Sequence, residues 1–231
     1  MGEDFKDIDT GPVSATKSGA LRQLDEFAEA AELLTGYIDP NDCDSMDCPL
    51  NILTEAIAQI EHLRSDTAEY SKYIAKCRKL AKHCTNCQNG VFKDQSALIL
   101  AELTVLSAGT DTVQLDRAEQ LLLGIDAELY RLNIDYLRTK ARLLTAGQDF
   151  STAAVLWKKI AVLTNSQKLQ SRQANIQWWQ AKFYSILCFS KLAKTTKEQT
   201  IHAIDALVSS EEDTPSFWAE KLSCLKKQML D

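Results

Sequence analysis

NIDYLRTKARLLTAGQDFSTAAVLWKKIAVL, residues 133–163, is the stretch whose reading decides the fold. It divides into two amphipathic helices joined by a tight turn at Gly147-Gln148-Asp149. In the first half Leu137, Ala141 and Leu144 recur at i, i+4 and i+7, one face of a helix with 3.6 residues per turn. In the second half Phe150, Ala153, Ala154, Trp157, Ile160 and Ala161 form one continuous face. Ala141 and Ala153 are small where two antiparallel helices must approach closely, and Phe150 and Trp157 are bulky enough to fill the space around them. Such a hairpin cannot bury both faces by itself, so it calls for neighbours of the same kind.

The rest of the chain is composed to supply them. Only 8 glycines and 4 prolines occur in 231 residues, too few for the frequent turns of a strand-rich fold, so long helices are expected. Before the hairpin, helical spacing predicts helices over 94–107 and 111–129, with Asp111 as an N-cap after Gly109-Thr110. After it come 171–193, 197–209 and 215–229. Nearer the N-terminus, Leu21, Leu24, Phe27, Ala28, Ala31 and Leu34 mark a helix over 17–38 whose polar face is acidic (Asp25, Glu26, Glu29, Glu32). A helix follows Pro49 through Leu50, Leu53, Ile57 and Ile60, and another covers 66–82. Residues 1–16 lack any apolar period and read as a flexible tail. The count is about ten helices with no convincing strand, an all-α chain.

Charge is unevenly spread. Residues 1–50 hold twelve Asp or Glu against three Lys or Arg, while the remainder is close to balanced within a net charge of −6. No dense basic run is present, which argues against a nucleic-acid partner. The most apolar helix, 176–192, is interrupted by Gln180, Lys182 and Lys191, which argues against a membrane span. Met1 is followed by the acidic GEDFKDIDT rather than by a basic and then apolar leader, and seven cysteines is an odd number. Reduced thiols in the cytoplasm are therefore expected.

A spacing recurs along the second half. Leu115, Ala118, Leu122 and Ile125 stand 35 residues before Phe150, Ala153, Trp157 and Ile160, with Thr200, Ala203 and Leu207 as a weaker third copy. Residues 133–165 resemble a tetratricopeptide repeat (TPR), a helix-turn-helix unit of about 34 residues. Leu137, Ala141 and Leu144 stand where that family carries large, small and large residues in its first helix, and Phe150, Ala153 and Trp157 match its second. Lys140 departs from the usual Leu, Asn165 from a common Pro, and the turn has one extra residue. The resemblance implies a right-handed α-α superhelix of stacked hairpins over 94–231, capped by an acidic helical segment over 17–90 with the CTNCQNG stretch (84–90) as the seam. It further implies a non-catalytic scaffold that binds a peptide or partner protein in a concave groove lined by the first helix of each pair.

On that register Arg138, Arg142, Gln177, Gln180 and Tyr184 line the groove. The paired Arg forks suit an acidic, carboxylate-bearing partner, although the same residues are also read as a solvated polar face bridged to Asp135 or Glu128. The Asn and Lys set of the family's clamp for acidic chain termini is missing. Trp178 and Trp179 point about 100° apart on a helix, so one is expected in the core and the other at a helix junction or on the surface. Cys43 and Cys48, with the CxxC of Cys84 and Cys87 beside His83, leave open a four-thiolate zinc site, a disulfide, or plain thiols. The acidic loop 39–50 fails as a calcium loop, because Gly and Glu are missing from its sixth and twelfth positions. No phosphate loop, GxSxG or HExxH occurs, and His62, His83 and His202 have no spaced acid and nucleophile. No enzyme activity and no cofactor are expected. A catalytic helical bundle that leaves no motif is the remaining alternative.

Overall fold

The computed structural model describes residues 68–85, 90–211 and 214–230, together with Leu50, Leu53, Thr54 and Ile57. Among them lie eight helices and no strand: α1 (Ala68–Cys84), α2 (Gly90–Ala108), α3 (Thr112–Leu123), α4 (Ile134–Ala146), α5 (Phe150–Asn165), α6 (Arg172–Ser190), α7 (Lys197–Ser210) and α8 (Ser216–Leu230). The tail 1–16, the helix 17–38 and the loop 39–48 fall outside the described residues. Leu50, Leu53, Thr54 and Ile57 are helical, on the segment expected to follow Pro49. The chain divides into two compact units, residues 1–107 and 108–231.

In the first unit α1 and α2 run antiparallel. The Tyr70 hydroxyl at the start of α1 donates to the Leu106 carbonyl near the end of α2 at 2.9 Å, and Arg78 Nη1 donates to Ser107 Oγ at 3.2 Å. Between them Ile74, Cys77, Leu80, Ala81 and Cys84 pack with Ile99 and Leu103, joined by Leu50, Leu53 and Ile57. Ile99 and Leu103 are one turn apart, so α2 presents a single ridge to α1. This shared core places α2 in the first unit, whereas the spacing of 94–107 groups it with the hairpins that follow.

The second unit holds α3 to α8. The starts of α3 to α7 each carry a polar cap in the residue before them. Asp111 accepts from the backbone of Val113 and Gln114, Asn133 from Tyr136, Asp149 from Thr152 and Ser171 from Ala174, while Thr196 and Gln199 close a reciprocal capping box. These caps satisfy donors that a helix start leaves without intrahelical partners. Each helix packs on the next from α3 to α8, and α8 also returns to touch α6. Of the two 35-residue copies, Leu115, Ala118, Leu122 and Ile125 are buried, as are Ala153, Trp157 and Ile160, while Phe150 is half-buried. Ala141 and Ala153 are fully buried, as close helix approach requires.

Trp157 is the hub of this packing. It is fully buried, and its ring stacks on Tyr184 of α6 with centroids 4.9 Å apart and planes at 18°. Its indole N–H donates to Thr145 Oγ1 of α4 at 3.2 Å. The one Thr145 hydroxyl proton goes to the Ala141 carbonyl at 2.7 Å, so Cys188 of α6, with Sγ 3.5 Å from the same oxygen, is the donor in its contact. One polar knot thus joins three helices.

Three expectations change. The helix expected over 111–129 stops at Leu123, because the ladder tightens there, with Ile125 N–H donating to the Leu122 carbonyl at 3.2 Å, and the Asp126 carboxylate then captures the N–H groups of Glu128 and Leu129 in an Asx turn. The helix expected to reach residue 193 ends at Ser190. Trp178 and Trp179 are both buried, edge to face at 5.0 Å and 87°, because α6 is covered by α5, α7 and α8 on different sides.

The α4–α5 turn carries a strained residue. Gly147 has an ordinary φ of −75°, and it is Gln148 that sits in the left-handed region at φ 65°. A side chain there costs about 1–2 kcal/mol, part of which the flexibility of glycine in the unfolded chain would offset. Gln148→Gly is therefore expected to stabilise the protein by about 0.5 kcal/mol in urea unfolding; a loss of stability would show that Gln148 makes a contact worth more than its strain.

Candidate partner-binding surface

Helix α6 presents two opposed faces. Gln177, Gln180 and Tyr184 lie on one, and Trp178, Lys182, Ser185, Ile186 and Phe189 on the other, about 150° away around the axis at 100° per residue. Only the first was expected to carry binding.

On that first face the five expected residues do come close to one another in part. The Arg142 guanidinium lies over the Tyr184 ring at 5.7 Å, on the ring that stacks on Trp157. Arg138 Nη1 sits 2.8 Å from Asp135 Oδ1, one turn back on α4. Arg138 and Arg142 are each only 6% exposed and Gln180 is 5% exposed, while Gln177 and Tyr184 are half-buried. Lys140, the departure from the family pattern, is exposed, with its ammonium 5.9 Å from the Tyr136 ring.

The second face opens onto a cavity of about 920 Å3 walled by three helices. Helix α5 supplies Lys158, Ala161, Val162 and Asn165, and α7 supplies Ala203, Ala206, Leu207 and Ser210, each a single i, i+3, i+4, i+7 stripe. Between them α6 lays down Trp178, Lys182, Ser185, Ile186 and Phe189 over three turns. The space exists because the facing positions are small: Ala161, Ala203, Ala206, Ser185 and Ser210 leave α5 and α7 parted over the aromatic floor. Two lysines and no carboxylate line it.

One end of the cavity is fixed electrostatically. Lys168, in the turn after α5, reaches both carboxylate oxygens of Glu211 at 2.9 and 2.8 Å, next to Ser210 of the cavity wall. Its ammonium lies 3.8 Å from the centroid of the Trp178 ring, and Lys182 approaches the same ring at 5.3 Å. A cation over an indole face is held by the ring quadrupole, so Trp178 anchors the α5–α6 turn as well as flooring the cavity. Nothing in helical periodicity marks this face as a site. The one signal available is the pair Val155 and Val162, apolar residues on the polar side of α5, which are 64% and 74% exposed.

The cysteines and histidines separate. Among the described residues no group of three His, Cys, Asp or Glu is placed to hold a metal ion. Cys84 is fully buried in the core of the first unit, and Cys43, Cys48 and Cys87 lie outside the described residues. His202 is exposed on α7, and His62 and the His83 side chain lie outside what is described. Among the described residues no helix is long and apolar enough to cross a membrane.

Cys188 and Cys224 both carry free thiols, with opposite surroundings. Burial pushes the Cys188 thiol up, whereas Cys224 is exposed on α8. Because thiolate is the reactive form, an alkylating reagent at pH 8 is expected to modify Cys224 in the native protein and Cys188 only on unfolding. Peptide mapping decides, and native-state labelling of Cys188 at the rate of Cys224 would show that the Trp157 knot opens readily.

No family model, no curated protein and no solved structure matches this chain.

Proposed function

We propose that this chain is a non-catalytic protein-interaction module of stacked, TPR-like helical hairpins that holds a peptide or a segment of a partner protein. Successive hairpins that share small buried residues in a 35-residue register support it, and a right-handed superhelix is the arrangement such a register favours. The observation that carries the reading is the cavity between α5, α6 and α7, open to solvent and floored by aromatic and branched side chains. Concave, mostly apolar surfaces with a few placed polar groups are where proteins bind. A reducing compartment, the cytoplasm, suits the free thiols of Cys188 and Cys224.

Two faces compete for the partner. In the resembled family the first helices, here α4 and α6, line the binding groove, which favours Arg138, Arg142, Gln177, Gln180 and Tyr184. Yet both guanidinium groups are buried, and a carboxylate ligand would have to displace Asp135 from Arg138. Removing a buried, partnered charge is costly. The face walled by the second helices, α5 and α7, requires no such exchange, and we assign partner binding to it.

Filling the cavity separates the two faces. Ala206→Trp places a large ring among the lining residues and is expected to abolish recovery of a partner captured by the native protein, with the thermal midpoint kept. Arg142→Ala is expected to retain the partner and to unfold at lower temperature, since it removes the cation stacked on Tyr184. Loss of the partner with Arg142→Ala alone, measured while that variant is folded, would move the site to the polar face. Full recovery by both variants would overturn the assignment of binding to either face.

A further inference from the structure

The α5–α6–α7 cavity has a sign, a length and an apolar margin, and together they specify an occupant. Its lining holds Lys158 on α5 and Lys182 on α6 and no acidic side chain. The α6 floor from Trp178 to Phe189 covers eleven residue steps, about 16 Å at 1.5 Å per residue, which is three turns of an opposing helix. Apolar surface continues past the cavity itself. Val155, Lys158 and Val162 share one face of α5 at i, i+3 and i+7, and both valines are more than half exposed. A compact ligand sized to the cavity would leave Val155 in water, whereas a helix lying along α5 and α6 would cover it.

Resting on the interaction-module reading above, we infer that this cavity takes an acidic amphipathic helix of a partner protein. Its apolar ridge lies on Val162, Ile186 and Phe189, and its carboxylates meet Lys158 and Lys182. Helix-in-groove binding reads anchors at i, i+3, i+4 and i+7, the same spacing that the α5 and α7 walls present. Lys158 stands on the α5 wall and Lys182 within the α6 floor, so carboxylates that meet them are rewarded and lysines there are penalised. The small residues of α7, Ala203 and Ala206, admit the branched side chains of the ridge.

The test uses the full chain and synthetic probes: a fluorescein-labelled helical peptide of about four turns with a Leu ridge and Glu flanks, the same peptide with Lys flanks, and a scrambled peptide of the same acidic composition. Fluorescence anisotropy at physiological ionic strength is expected to show saturable binding of the acidic helix, with the Lys-flanked and scrambled peptides at least about ten-fold weaker, the scale of one lost charge-assisted contact. Lys158→Glu and Lys182→Glu are each expected to weaken the acidic helix by about ten-fold or more with circular dichroism and thermal midpoint unchanged. Ala206→Trp is expected to abolish binding. Loss with Ala206→Trp but not with either lysine variant would keep the cavity as a binding surface and overturn the acidic-helix assignment. Equal binding of the scrambled peptide would reduce the effect to charge alone and overturn it. So would absence of saturation up to about 100 µM, whether a long-chain carboxylate binds instead or light scattering shows the lysine-dependent face closed by a second copy of this chain.

Discussion

The contact on which the second unit depends is the burial of Trp157 with its indole N–H satisfied. An indole can fill the space between three helices only if its one donor finds an acceptor, since an unsatisfied buried donor costs about 1–3 kcal/mol. Thr145 supplies that acceptor from α4, and its own proton closes onto the Ala141 carbonyl in the same turn. Tyr184 stacks on the indole from α6, and Cys188 reaches Thr145 from one turn further along. The rotation of α6 is set by these two contacts. Once Tyr184 and Cys188 face α4 and α5, Trp178, Lys182, Ile186 and Phe189 must turn toward the far side, where the cavity lies.

The same constraint explains why the two faces of α6 differ in chemistry. Toward α4 lie groups that can be buried because each has something to meet: Arg142 its aromatic ring, Arg138 its carboxylate. Toward α7 the wall is mostly Ala and Ser, with Leu207 packed in the core, and the Lys168–Glu211 bridge beside Trp178 ties the turn after α5 to the end of α7. A site formed this way is held by packing behind it rather than by its own side chains.

How much of this was legible in the sequence depends on range. The hairpin at 133–163 was, because Leu137, Ala141, Ala153 and Trp157 write their burial in local spacing, and the caps at Asp111 and at the 147–149 turn are local chemistry. The stop at Gly124 was missed because the apolar period runs through it as far as Leu129, and only the backbone preferences of Gly124 and Asp126 oppose it. Arg138 and Arg142 were placed on one face of α4 by register, but register does not say whether that face meets solvent. Polarity read from one helix suggested exposure, and the surrounding helices bury both. The cavity was illegible for the converse reason: its walls come from residues far apart in the chain, and an alanine stripe looks the same whether a neighbour packs on it or stands away from it.

The central claim is that a partner docks on the α5–α7 side of α6 rather than on its α4 side. Site-specific photo-crosslinking reads this most directly, with benzoylphenylalanine at Val162, exposed beside the cavity, and at Gln177, half-buried on the α4 side of α6. The proposed docking predicts an interprotein crosslink from position 162 that maps to an acidic, amphipathic stretch of the partner, and none from position 177. A crosslink from position 177 with position 162 silent would contradict it.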